Sequence, residues 1–247
     1  RRSHFERIDE SEKSQISTDD IEQIVASVAG GVPNIQDIYP LAPLQEGILF
    51  HHRLAGEGLY VTPYLFCVDD QSQRDAFVRA LQSVIDRHDI LRTAILWEGL
   101  SLPVQVVYRS AALEMETITL KADQDEREQL DTLMDQLSID VERAPLMRLQ
   151  VARSQESDRW YVLIQQHHLV TDHVSGDIIQ EEVQTYLRGE EASLGEAMPY
   201  RNFIAHTLTQ TSHDDAQAYF TEQLGDIDEV SAPFGLLDVH GDGSTVE

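Results

Sequence analysis

The stretch RWYVLIQQHHLVTDHVSGDII, residues 159–179, decides how this chain folds. Its first nine residues are dense in aromatic and aliphatic side chains and read as a strand over 159–167. Side chains alternate faces along a strand, so His168 shares a face with Trp160, Val162, Ile164 and Gln166, and His167 shares the other with Tyr161, Leu163 and Gln165. The polar run LVTDH then reads as a turn. From Val174 the period changes: Val174, Ile178, Ile179, Val183, Tyr186 and Leu187 recur at helical spacing until Gly189 stops the run. Strand, tight turn and helix, with histidines at the joint, are the repeating unit of an α/β fold.

The flanking sequence continues in the same manner. VTPYLFCV (61–68), TAILW (93–97), VQVVYR (104–109) and LMRLQVA (146–152) read as further strands, the second and third joined as a hairpin through EGLSLP. Helical spacing is found over about 72–88 (Phe77, Val78, Leu81, Val84, Ile85) and over 124–138 (Leu130, Leu133, Met134, Leu137). Two more helices are expected over about 200–210 and 213–224. Near the start, Ser17 or Thr18 can cap a helix carrying Ile21, Ile24, Val25 and Val28, closed by Gly30-Gly31. VPNIQDIYP (32–40) then looks like a linker, Pro43 opens the helix LQEGILFHHRL, and GEEASLGEAMP (189–199) looks like a second linker. The tail SAPFGLLDVHGDGSTVE reads as loop. Roughly five strands interleaved with five or six helices imply an α/β two-layer sandwich followed by the opening of another unit.

Composition narrows the function. A formal net charge of −26 over 247 residues argues against nucleic acid and anionic membranes as partners, because phosphate neutralisation needs clustered Lys and Arg. The single cysteine, Cys67, cannot form an internal disulfide and is expected as a buried packing residue. No run of 18 apolar residues is present, and RRSHFERIDESEKSQ lacks the apolar core of a signal peptide, so a cytoplasmic location is expected.

The histidines admit three readings. A metal site needs three or four converging ligands, but adjacent strand histidines diverge and HExxH spacing is absent, so no metal is expected. A histidine at a strand end beside a structured turn is well placed to exchange a proton near neutral pH. A buried polar corner with satisfied histidines is the third. Asp172 could orient a histidine or pair with an arginine of RHDILRT, which offers Arg87 and Arg92. A buried Asp172–Arg87 pair would hold the loop carrying His168, and its rupture would cost about 3–5 kcal/mol. The apolar neighbours Ile85, Ile90 and Leu91 draw at least one of the two arginines inward.

Several stretches together resemble the condensation domains of nonribosomal peptide synthetases. HHLVTDH (167–173) is similar to their HHxxxDG, YPLAPLQEGILFHH (39–52) to YPLxPLQEGxLFH, RHDILRT (87–93) to RHxxLRT, and PYRNFIAH (199–206) to a YxxY-type segment. WEGLSLPVQVV (97–107) also resembles these domains. HHxxxD alone is weak, since other acyltransferases share HxxxD; the motifs in this order are specific. The resemblance covers about residues 33–240.

The resemblance implies a chloramphenicol-acetyltransferase-like fold in two lobes, with residues 1–32 as a lead-in and linker helix from an upstream carrier domain, 33–190 as the N-terminal lobe and 191–247 as the start of the second. It implies amide-bond formation by acyl transfer from a carrier-bound thioester to a carrier-bound amine. No cofactor would be bound, because phosphopantetheine belongs to the partner carrier domains. His168 would be the catalytic residue, as general base or by orienting the amine, with His167, Asp172 and Arg87 structural. Because the family's channel lies between lobes, this chain alone is expected to be inactive. His173 replaces the family's usual Gly and is expected to line the channel or mark a subtype, as are Ser175, His51 and His52. LQEGILFHH resembles the group accepting a donor ending in a D-residue, while HHRLAGEG (51–58) partly resembles the second histidine motif of dual epimerization/condensation domains. A stand-alone acyltransferase using acyl-coenzyme A and a non-catalytic docking domain are the other readings.

Overall fold

The computed structural model describes residues 16–55, 58–210 and 213–227. Two compact units are present, residues 1–205 and 206–247. The expectations for the charged lead-in and for the tail from Ser231 fall outside the described residues.

In the first unit, α1 (Thr18–Ser27) is followed by β1 (Ile35–Pro40), α2 (Pro43–Ala55), β2 (Val61–Val68), α3 (Gln71–Arg87), β3 (Thr93–Leu96), β4 (Val104–Tyr108) and β5 (Met115–Ile118). Then come α4 (Glu126–Asp135), β6 (Met147–Arg153), β7 (Trp160–His167), α5 (His173–Leu187) and α6 (Tyr200–Gln210), whose second half lies in the second unit together with α7 (His213–Leu224). The helix starts follow capping chemistry: Ser17, Asp70, Asp125 and Asp172 each accept a backbone N–H of the first turn.

The strands form two sheets, β1-β4-β3 and β2-β7-β6-β5. All pairs are antiparallel except β5 with β6. The strand that ends in the histidines is thus internal, with β2 and β6 on its two sides, and Val162 through His167 are all buried. Helices α3 and α5 cover one face of this sheet: Leu81, Val84 and Ile85 meet Val162, Ile164, Ile179 and Val183 in one apolar cluster. Burying such side chains stabilises by about 1.5–3 kcal/mol each, which fixes β7 and therefore the position of its end.

The mixed α/β architecture and the five expected strands are present; four further features differ from the sequence reading. VPNIQDIYP is not a linker. Ile35, Ile38 and Tyr39 are buried and the segment pairs with β4; its prolines sit before and at the end of the strand, where no ladder hydrogen bond is lost. Strand β5 escaped notice because it is a four-residue edge strand with exposed Met115, Glu116 and Thr117 and no alternation to read. Cys67 is exposed rather than buried, since it lies on edge strand β2. Helix α1 is packed into the fold: Ile24 is 0% exposed, against Val104 and Val106 of β4, and Asp20 accepts hydrogen bonds from the backbone and hydroxyl of both Ser17 and Ser101.

Candidate active site

The two adjacent histidines part as strand alternation requires. His167 is fully buried and His168 is exposed. Their hydrogen bonds define their tautomers. The backbone N–H of Leu169 donates to His167 Nδ1 (3.1 Å), so that nitrogen carries a lone pair and Nε2–H donates to His52 Nδ1 at 3.3 Å. Burial first, then the neighbouring His52 and His168, pushes the His167 imidazole down to about 3. His167 is therefore neutral and cannot serve as a base at the surface.

His168 is arranged in the opposite sense. Its Nδ1 lies 3.0 Å from the carbonyl of Thr171, which can only accept, so Nδ1 bears the proton. Nε2 is then the basic nitrogen, and it accepts from the Thr62 hydroxyl at 3.0 Å. The main chain is held as well, since His168 N–H donates to the carbonyl of Tyr60 (2.9 Å). An imidazole with one nitrogen locked to a carbonyl and the other turned outward is an arrangement suited to proton transfer.

The turn after His168 is anchored from the YPLAPLQEG segment. Buried Gln45, in the first turn of α2, donates to the Leu169 carbonyl (2.9 Å) and to Gln105 Oε1 (3.0 Å), while its own carbonyl oxygen accepts Ala42 N–H. Two widely separated motifs are thus one polar network. Thr62, Thr171, Tyr60 and Gln45 were not singled out in the sequence; the strand register, Val61 opposite His167 and Thr62 opposite Gln166, brings Tyr60 and Thr62 here, and Gln45 arrives from α2.

Asp172 and Arg87 do not pair. Asp172 caps α5, one oxygen taking both the N–H and the hydroxyl of Ser175 at 2.7 Å, and the Ser175 N–H is the main cause of a carboxyl held below its usual range. Arg87, at the end of α3, pairs with Glu182 at 3.2 Å and donates to the Gly195 carbonyl; His88 Nε2 meets the other Glu182 oxygen at 2.8 Å. Glu182 lies ten residues beyond Asp172, about 15 Å along the helix. The arginine expected at the histidine turn instead clamps α3 to the middle of α5. Arg92 is the one drawn fully inward, donating to Gln36 and to the Tyr108 carbonyl.

The remaining candidates are dispersed. His173, first residue of α5, lines a groove of about 500 Å³ between that helix and the β2–β7 face, with Tyr64, Phe66, Gly176 and Asp177. Ser175 belongs to the cap. His51 is exposed and bonded through Nδ1 to the Tyr60 hydroxyl (3.0 Å), whereas His52 is buried against His167 and Trp97. From the PYRNFIAH segment, Tyr200 N–H reaches Asp89, and burial, then Asp172 and Asp89, push its phenol up to about 12. Among the described residues no cluster of three or more His, Cys, Asp or Glu side chains could hold a metal, and no helix is long and apolar enough to cross a membrane.

Comparison with known proteins gives these elements a family context. Residues 35–233 match the family described as "Condensation domain". Malpinin synthetase of Mortierella alpina is 42% identical over 238 residues, covering 94% of this chain and 3% of that protein. Malpibaldin synthetase of the same organism is 40% identical over 245 residues, covering 94% of this chain and 4% of that protein. Among solved structures, the starter condensation domain of rhizomide synthetase superposes with a TM-score of 0.60 at 19% identity, covering 78% of this chain. The present chain spans 49% of that solved chain and a few per cent of the curated synthetases.

Proposed function

Because the chain belongs to the condensation-domain family, we propose that it forms part of a domain joining a carrier-bound acyl thioester to a carrier-bound amine in nonribosomal peptide synthesis. Residues 33–190 serve as its N-terminal lobe, 191–247 as the start of the second, and 1–32 as the lead-in from an upstream carrier domain, whose helix α1 packs onto the lobe. The observation that carries the catalytic reading is the orientation of His168: Nδ1–H is committed to the Thr171 carbonyl, leaving Nε2 basic at an exposed face. In the reaction, the acceptor amine attacks the thioester carbonyl, the C–N bond forms, and the C–S bond breaks to release the pantetheine thiol. Nε2 removes the proton the nitrogen must lose, or holds the amine through that lone pair, and the imidazolium returns the proton to the departing sulfur. The Thr62 hydroxyl, already on Nε2, is displaced toward the incoming amine.

His167 and Asp172 act structurally, one as a buried neutral link to His52 and the other as the cap that sets the start of α5. The chain itself supplies no cofactor, the reactive groups arriving on the phosphopantetheine arms of upstream and downstream carrier domains, and a cytoplasmic enzyme is the setting this reading implies. We assign the donor as a peptidyl group ending in a D-residue, on the likeness of LQEGILFHH to that group, and this chain without the rest of its domain is inactive. The dual epimerization/condensation reading is disfavoured at His52, which is 7% exposed and committed to His167.

The test is His168→Ala in the full synthetase module, with the product followed by mass spectrometry on the acceptor carrier and with D- and L-terminated donors run in parallel. Condensation is expected to fall by about 10²–10⁴-fold, the range for loss of a general base, with the D-donor favoured in wild type. A variant that condenses like wild type refutes the proton-transfer role. Equal use of both donors, with exchange of the donor α-hydrogen for solvent deuterium, points to the dual activity.

A further inference from the structure

The adjacent histidines of α2 lie beside a second adjacent pair at the end of β7, His52 bonded directly to His167 and His51 linked to His168 only through Tyr60. Successive residues on a helix point about 100° apart, so His51 and His52 leave α2 in different directions. His52 turns inward and meets His167. His51 turns outward and meets the hydroxyl of Tyr60, with the two rings 6.1 Å apart. Tyr60 in turn supplies the carbonyl that receives His168 N–H.

Tyr60 has a second peculiarity. Its φ is +66°, and among the described residues no other non-glycine side chain adopts the left-handed region. That conformation is disfavoured for a residue with a Cβ and persists where surrounding contacts over-determine it. Here the Val61 N–H returns to the Gly58 carbonyl behind it, the Tyr60 carbonyl is taken by His168, and the hydroxyl is taken by His51.

We propose that His51-His52 is a paired support for His167-His168, with Tyr60 the positioning residue that transmits the support of His51 to the main chain of His168. This rests on the catalytic reading of His168 but assigns new work to residues that reading leaves idle. It also gives His51 and His52 a role other than the channel-lining or subtype-marking one expected from the sequence.

The test uses the full synthetase module carrying Tyr60→Phe, His51→Ala or His51→Asn, the last offering an amide where Nδ1 stood. Deleting the hydroxyl link is expected to lower kcat about threefold to tenfold, the value of one net hydrogen bond, with KM for the acceptor carrier unchanged. Tyr60→Phe with His51→Ala is no worse than either alone, because one link is lost in each. His51→Asn restores most of the activity. In parallel, hydrogen exchange is followed in a peptide containing Leu169, Val170 and the His168 amide. Exchange at His168 is expected to speed up several-fold in Tyr60→Phe and His51→Ala, with β6 peptides unchanged. Wild-type exchange in both variants overturns the proposal, whatever happens to kcat. Faster exchange accompanied by wild-type activity in His168→Ala would keep the support and remove only the catalytic assignment.

Discussion

At the scale of single residues, the chain handles two neighbouring imidazoles in opposite ways. His167 is neutral because it is buried, and this has a thermodynamic signature. Its folded value is about 3 against an ordinary 6.5, so below 6.5 the unfolded chain takes a proton that the folded chain refuses. Stability therefore falls as pH drops through 6.5, by up to about 1.4 kcal/mol per unit, and the loss levels off near 3. Asp37 works in the other direction, because burial raises its carboxyl despite Arg201 at 2.7 Å. Urea midpoints at pH 7.5, 6.5 and 5.5 are expected to drop slightly over the first interval and more over the second in wild type, and to drop less in His167→Gln. Equal slopes in the two proteins would exclude His167 as the source.

At the scale of elements, the clamp between α3 and α5 offers a direct discrimination. Arg87 and Glu182 are 19% and 11% exposed in their side chains, so removing one leaves a largely desolvated charge. Arg87→Ala is expected to destabilise by about 2–3 kcal/mol, at or just under the range for buried pairs because both partners keep some solvent contact. Asp172→Ala forfeits only a helix cap, about 1 kcal/mol. Double-mutant cycles in the denaturation free energy are expected to show coupling for Arg87 with Glu182 and near-additivity for Arg87 with Asp172. Coupling in the second cycle and none in the first would restore the pairing read from the sequence. That pairing also shows where legibility ended. Strands β2, β3, β4, β6 and β7 could be read because alternation and apolar runs are local, and so could the opposite fates of His167 and His168. Strand β1 was hidden behind prolines, β5 had no buried face to advertise itself, and the partners of His168 include residues far away in the chain, such as Thr62 at a separation of 106 positions. Charge partners are chosen by tertiary packing: α3 ends beside the middle of α5, not its start, and no local pattern says so.

At the scale of the whole molecule, α1 changes what counts as the lobe. It precedes residues 35–233, the span matched by the family, yet it completes the apolar cluster under β4. Ile24→Ala is expected to cost about 2–5 kcal/mol, as for other fully enclosed aliphatic side chains, whereas Ile21→Ala, 45% exposed, is expected to cost under about 1 kcal/mol. Chemical denaturation of both variants checks the contrast, and comparable small losses would make α1 a peripheral tether. Asp20, whose carboxyl is held at about 2 chiefly by the Ser17 N–H and the Ser101 hydroxyl, ties the same helix to the loop after β3. For anyone exchanging this segment between related proteins, the consequence is a rule about where to cut. A splice at residue 35 follows the family boundary but leaves the recipient with a bare cleft beside Val104 and Val106 and with Ser101 donors aimed at nothing. The transplant survives only if its left margin lies ahead of Ser17, so that plug and socket travel together.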